Sequence, residues 1–212
     1  MQIHLYGNRE SGHSYKVALA LRLLDLPFTL ESVDMGLPRE KRSAGFLKHA
    51  RFSEIPALTI DGEAIVQSNV ILEVLAQRTG KLDGKDPAGK LKVREWMAWE
   101  AARIGFSMPN LRWSRGFVPQ GEQVEKWLEA RTLRDLEFLN QSLTKTVYLT
   151  GSHLTIADIC CCAYLYWPNQ AGIDLGPYPH LRRWIDAISR QPNWVDPYDM
   201  YDAERLMRPP AA

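Results

Sequence analysis

A proline at position 56 stands between a polar loop and a short apolar run, and it limits what can be built around it. Proline has no N–H to give to a sheet ladder, so Pro56 belongs at the mouth of a strand and not inside one. The run behind it, Ala57-Leu58-Thr59-Ile60, reads as that strand. Asp61-Gly62 turns the chain, and Ala64-Ile65-Val66 returns as a second strand. Gln67-Ser68 then opens a helix over residues 68–77. Such a unit is suited to binding an extended peptide. Ile55 can offer its backbone N–H and C=O to the ligand. The helix starting at Ser68 turns free N–H groups, and the positive end of its dipole, toward an anion. A small acidic peptide would be held by backbone and carboxylate together.

The upstream pattern fits this unit. Residues 3–6 read as a short buried strand that stops at Gly7-Asn8, and a loop over 9–12 follows. Residues 15–24 form a helical run, with Val17, Leu19, Ala20, Leu21, Leu23 and Leu24 apolar. Residues 28–33 alternate apolar and polar as a half-buried strand does, and 38–49 are weakly helical. The order is β-α-β-α-β-β-α. A doubly wound sheet would keep alternating, so the pattern describes an α/β thioredoxin-like domain over residues 1–78. Residues 79–89 carry Gly80, Gly84, Pro87 and Gly89, a linker composition. Everything from 90 to 212 reads as an all-α C-terminal domain. Its expected helices span 90–115 with a kink at Pro109, 120–143, 156–170 and 178–190, with a short one within 196–206. Residues 209–212 are expected to be disordered.

Bulk properties exclude several function classes. Of the 212 residues 45% are apolar and 24% charged, and the net charge is +1, so neither a nucleic-acid nor a membrane partner is indicated. No apolar run approaches the roughly 20 residues a spanning helix needs. Met1-Gln2-Ile3-His4 lacks the basic and apolar regions of a secretory signal, and a cytoplasmic location is expected. The only cysteines, Cys160, Cys161 and Cys162, are consecutive. Neighbouring helical positions point in different directions, so they read as small core residues and not as a metal cluster. All seven tryptophans lie after residue 95, so the two halves are built differently. Thr155 and Asp158 form a capping-box pattern at the start of the central helix, with Leu154 and Ile159 at the staple positions. Asp158 is thus expected to serve folding.

Five short motifs then carry a resemblance across nearly the whole chain. They are Tyr6-Gly7-Asn8 through Ser11-Gly12-His13-Ser14-Tyr15-Lys16-Val17, then Ile55-Pro56, Gln67-Ser68, Thr155-Ile156-Ala157-Asp158, and Tyr178-Pro179-His180-Leu181 with Trp184. In that order and spacing the chain resembles a cytosolic glutathione S-transferase of the bacterial serine-type (theta/beta-like) branch. The resemblance implies the glutathione transferase fold, with Pro56 in the cis form. It implies glutathione as co-substrate, no metal, a small-molecule electrophile, and a cytoplasmic homodimer serving detoxification.

A free cysteine thiol ionises near pH ~8.5, so such a site must stabilise the thiolate. Ser11, in the loop entering the first helix, is the implied catalytic donor, with Ser14 and Tyr6 as further candidates. A cysteine at position 11 would have implied disulfide chemistry, and the S-S-C-x-W-R signature of the isomerase branch is absent. Ile55 would pair with the cysteinyl unit. Ser68 would bind the γ-glutamyl carboxylate, with Gln67 adding a side-chain contact. Glu54 stands where relatives place a neutral or basic residue, and its charge would oppose the glycine carboxylate. Lys48, His49 or Arg51 could offset it. An electrophile pocket is expected between the domains, drawing on Asn8, Arg9, Gly12, Phe106, Asn110, Arg112 and Trp113, with Arg112 available to an anionic group. Two other readings remain: a non-catalytic binding or scaffold protein on this fold, or another glutathione-dependent enzyme such as an isomerase, peroxidase or dehalogenase.

Overall fold

The structure, a computed structural model, describes residues 1–201. The described chain divides into two compact units, residues 1–81 with 191–201, and residues 82–190. In the first unit the elements are β1 (Ile3–Gly7), α1 (Gly12–Leu23), β2 (Thr29–Ser32), α2 (Ala44–His49), β3 (Ala57–Ile60), β4 (Glu63–Val66) and α3 (Ser68–Thr79). The sheet order is β2-β1-β3-β4. The β1–β2 pair is parallel, and β1–β3 and β3–β4 are antiparallel. This is the arrangement expected from two consecutive strands behind a proline. β3 is buried along its whole length, as a central strand of apolar residues should be. The Ile55–Pro56 peptide bond is cis.

In the second unit the helices are α4 (Pro87–Ala102), α5 (Ile104–Gly116), α6 (Glu122–Ser142), α7 (Ile156–Cys162) and α8 (Pro179–Ser189). Three expectations change here. The long helix over 90–115 is two helices, and the break falls at Arg103 (φ −124°, ψ −109°), not at Pro109. Arg103 leaves helical geometry where its guanidinium meets Asp135, with Nη2–Oδ1 at 2.7 Å and Nε–Oδ1 at 2.9 Å. Asp135 is fully buried, and a buried carboxylate requires such a partner. Two residues on, a Cβ on Gly105 would lie 2.1 Å from Glu100 Oε1, so only glycine fits beside that buried side chain. Pro109, inside α5, costs the helix a single N–H and does not end it.

The helix expected over 156–170 stops as an α-helix at Cys162. It continues as 3₁₀ turns over Ala163–Tyr166 and Pro168–Ala171, because Pro168 cannot carry α-helical hydrogen bonding forward. The third change concerns the tail. Residues 191–201 lie with the first unit, although the sequence pattern assigns them to the helical domain. The Tyr15 hydroxyl donates to the Val195 carbonyl at 2.8 Å, and Trp194 therefore belongs to this unit and not to the tryptophan-rich one. Of the last helix expected within 196–206, residues 196–198 are loop and turn and Asp199–Tyr201 is a 3₁₀ turn; residues 202–206 and 209–212 lie outside the described residues. Cys160, Cys161 and Cys162 are all buried and unbridged in α7, and burial pushes the Cys161 and Cys162 thiols up. Among the described residues no helix is long and apolar enough to cross a membrane, and no His, Cys, Asp and Glu group is arranged to hold a metal ion.

Candidate functional site

The three hydroxyl candidates near the end of β1 have different surroundings. Ser11 is the N-cap of α1, with an extended backbone (φ −98°, ψ 111°), and its Oγ accepts the Ser14 N–H at 3.1 Å. Accepting there leaves the hydroxyl proton available for donation, and Ser11 is half-buried. Ser14 is fully buried, and its Oγ accepts the Asn8 N–H at 3.3 Å. Tyr6 is buried in a cluster with Val33, Phe46, Ala50, Ala57 and Val66, and its ring stacks on His49 with centroids 6.1 Å apart. Its hydroxyl lies 2.9 Å from where a Cβ on Gly45 would fall, facing α2. Burial, and secondarily the Glu31 carboxylate, hold its pKa above the ordinary phenol value.

The loop from Gly7 to Ser11 is held on several sides. Asn8 Nδ2 donates to the Val33 carbonyl at 3.0 Å, and Asn8 Oδ1 accepts the Glu10 N–H at 2.8 Å. The tail supplies contacts that sequence reading missed. The Arg9 guanidinium lies 5.0 Å from the Tyr198 ring centroid, and the Tyr198 hydroxyl donates to Glu10 Oε2 at 3.4 Å. A Cβ on Gly7 would fall 2.8 Å from the Tyr201 hydroxyl and 3.0 Å from Ser14 Cβ. No local pattern announces these contacts, because Glu10 and Tyr198 are 188 residues apart.

The edge expected to bind a peptide is built around α3. Gln67 precedes it with φ +70°, a conformation that costs a non-glycine residue about 1–3 kcal/mol. Gln67 does not cap the helix with its side chain. Its Nε2 donates instead to Glu54 Oε2 at 2.9 Å, so the two polar residues flanking the β3–β4 hairpin are tied together. The first turn of α3 thus receives no cap from the Gln67 side chain, and Ser68 and Ile55 are both half-buried. Arg42, also missed in the sequence, orders the approach to Glu54. Its guanidinium donates to the carbonyls of Leu37 (3.2 Å), Met35 (3.2 Å) and Ser53 (3.1 Å). Lys48 and Arg51 are exposed, and His49 is half-buried against Tyr6. From α1, Lys16 Nζ donates to Asn69 Oδ1 at 2.7 Å.

In the second unit, Phe106, Asn110 and Trp113 share the exposed face of α5. Asn110 Nδ2 donates back to the Phe106 carbonyl at 2.7 Å, and Trp113 stacks on Phe117 with centroids 4.9 Å apart. Arg112 faces the other way. It is 3% exposed, its Nε donates to Gln170 Oε1 at 2.7 Å, and its guanidinium lies 4.7 Å from the Trp167 ring centroid. That charge is buried inside the unit, and its guanidinium also lies 5.3 Å from the centroid of the Phe117 ring on which Trp113 stacks.

Asp158 holds four donors: Thr155 N–H (2.9 Å) and Oγ1 (3.0 Å) on one oxygen, Leu149 N–H (2.8 Å) and Trp184 Nε1 (2.9 Å) on the other. Burial raises its pKa, and these hydrogen bonds oppose the rise. These donors all belong to the second unit itself, consistent with a folding role.

Residues 10–78 match the family model for the glutathione S-transferase N-terminal domain, and residues 97–192 match that for the C-terminal domain. The chain is 26% identical to the disulfide-bond oxidoreductase YfcG of Escherichia coli, over 85% of this chain and 87% of that one. It is 27% identical to the maleylacetoacetate isomerase of Pseudomonas aeruginosa, over 91% and 92% of the two chains. Among solved structures, a glutathione S-transferase from Pseudomonas fluorescens superposes with a TM-score of 0.85 at 29% identity, covering 95% of this chain and all of that one.

Proposed function

Because the chain belongs to the glutathione S-transferase family, we propose that it is a serine-type glutathione transferase in which Ser11 activates the thiol. The observation that carries this reading is the contrast among the three hydroxyls. Ser11 is half-buried at a helix N-terminus with a proton to donate, while Ser14 and Tyr6 are packed inside. A hydroxyl that donates to sulfur, together with the positive end of α1, favours the thiolate over the thiol.

Glutathione would lie along Ile55, pairing its cysteinyl unit with that backbone. Its γ-glutamyl carboxylate would sit at the first turn of α3, which the Gln67 side chain does not cap, on the Ser68 hydroxyl and N–H. Gln67 would add its remaining hydrogen-bonding capacity there. The thiol proton leaves to solvent, and the sulfur forms a bond to an electrophilic carbon as a leaving group departs or as the electron pair moves into a conjugated acceptor. The exposed Phe106 and Trp113 favour a planar or apolar electrophile. The names of two relatives point elsewhere, to disulfide chemistry and to isomerisation. Position 11 of this chain is serine and not cysteine, and the S-S-C-x-W-R signature is absent, which favours transfer over both.

Calorimetric titration with glutathione tests the reading, followed by pH titration of the bound thiol by its thiolate absorbance. Binding with a thiol pKa below the free value of about 8.5 is expected. Binding without any lowering of the thiol pKa would favour the non-catalytic alternative, and no binding would remove the glutathione reading altogether.

A further inference from the structure

Asn8, Arg9 and Glu10 lie between β1 and the Ser11 cap. Asn8 fixes the backbone of this loop. Its carbonyl accepts the Ser11 N–H at 3.0 Å, and its Oδ1 accepts the Glu10 N–H at 2.8 Å. Arg9 and Glu10 meet the far end of the chain instead. The Arg9 guanidinium lies 5.0 Å from the Tyr198 ring centroid. Glu10 is shared: Oε1 lies 3.8 Å from Arg9 Nε, and Oε2 accepts the Tyr198 hydroxyl at 3.4 Å. Tyr198 therefore touches both residues that immediately precede Ser11.

Tyr198 can act as a brace because the chain around it is anchored on both sides. Before it, the Val195 carbonyl accepts the hydroxyl of Tyr15, a fully buried residue of α1, at 2.8 Å. After it, Met200 is 1% exposed. Asp196 shapes the turn between them: its Oδ1 accepts the Tyr198 N–H at 3.0 Å, and its carbonyl accepts the Met200 N–H at 2.9 Å. The segment then passes so near the end of β1 that a Cβ on Gly7 would meet the Tyr201 hydroxyl. Arg9 is exposed, and an exposed cation–π contact with one long hydrogen bond adds little to global stability. Its effect is local. It restricts two flexible side chains and the backbone that carries them. The next residue along that backbone is Ser11, and a group displaced by about 1 Å loses much of its effect on a reacting atom.

We infer that Tyr198 is a positioning residue for the thiol donor: its ring, seated against Arg9 and Glu10, holds the loop that places Ser11. This rests on the proposed role of Ser11. Tyr198 acts through the loop, so it governs the chemical step and not the affinity for glutathione.

Two variants test it. Tyr198→Ala removes the brace, and Tyr198→Phe keeps the ring over Arg9 and loses only the long hydrogen bond. In Tyr198→Ala, kcat is expected to fall about fivefold, and the pKa of the bound thiol to rise by about 0.5 toward its free value of about 8.5. Glutathione affinity by calorimetry should stay within about twofold of native. Tyr198→Phe should remain within about twofold of native in kcat and affinity. Amide hydrogen exchange reads the brace without any ligand: the Glu10 and Ser11 N–H groups should exchange several-fold faster in Tyr198→Ala, while the melting temperature falls by no more than about 3 °C. Native kcat and thiol pKa in Tyr198→Ala overturn the proposal, and so does unchanged amide exchange. An equal loss in Tyr198→Phe overturns it by removing the ring as the brace. Weakened glutathione binding with native kcat overturns it as well, by placing Tyr198 in binding. If the native protein leaves the bound thiol at its free pKa, the role of Ser11 falls and that of Tyr198 with it, an outcome distinguished by needing no variant.

Discussion

Ser11 and Thr155 both cap helices, α1 and α7, with hydroxyl side chains and extended backbones, yet their surroundings give them different capacities. Thr155 is 3% exposed, and its hydroxyl donates to Asp158, whose other hydrogen bonds reach Leu149 and Trp184. Every polar group of that cap is consumed inside the second unit. Ser11 uses only its oxygen, on the Ser14 N–H, and its residue is half-buried. One cap is closed and stabilises the fold. The other is open and has a proton left to offer. The same local chemistry supports folding or function depending on what is packed around it.

The largest expected effect comes from breaking the closed cap. Asp158→Ala leaves four donors without their acceptor, and the cost should be about 3 kcal/mol or more. At about 2–4 °C per kcal/mol for a chain of this size, the melting temperature should fall by roughly 6–12 °C. The KM for glutathione should remain near native; a changed KM with an unchanged melting temperature would place Asp158 in the site.

Breaking the open cap should reverse that pattern. Ser11→Ala is expected to lower kcat/KM at least about tenfold, while costing the fold no more than about 1 kcal/mol of capping energy. An unchanged rate would remove Ser11 as the thiol donor. Ser14→Ala sharpens the contrast between neighbouring serines. It leaves the Asn8 N–H without its acceptor, so thermal unfolding should show a loss of about 1 kcal/mol. Its loss in kcat/KM should be smaller than that of Ser11→Ala, and a larger one would exchange their roles.

The smallest effect concerns the start of α3. Glu54 is exposed and accepts from Gln67. Glu54→Gln removes a negative charge from the proposed peptide-binding edge and should tighten glutathione about two- to fivefold by calorimetry, the range of an exposed charge interaction. No gain would show that Glu54 does not oppose the glycine carboxylate.

What could be read from the chain in advance was local. Pro56 before an apolar tetrapeptide, the Asp61-Gly62 turn and Gln67-Ser68 lie within a few residues of the features they specify, and they led to β3, β4 and α3. The capping box was legible for the same reason, since Thr155 and Asp158 are three residues apart. Pro109 misled because proline is only a local preference. The actual break at Arg103 coincides with its pairing to the buried Asp135, 32 residues away in sequence. Arg112 likewise has the composition of an anion-binding residue, but Gln170 and Trp167 take it into the interior.

The sequence by itself determined the element order of the first unit, the chemistry of the helix starts and the resemblance those motifs carry. Hydrogen-bonding and φ/ψ preferences act within a turn or two, so these were fixed by neighbours. Only the tertiary structure decided which hydroxyl stays accessible, that the segment 191–201 returns to brace the Gly7–Ser11 loop, and that Lys16 is buried against Asn69. Burial and long-range pairing depend on residues tens to hundreds of positions apart, and no local pattern encodes which of them will meet.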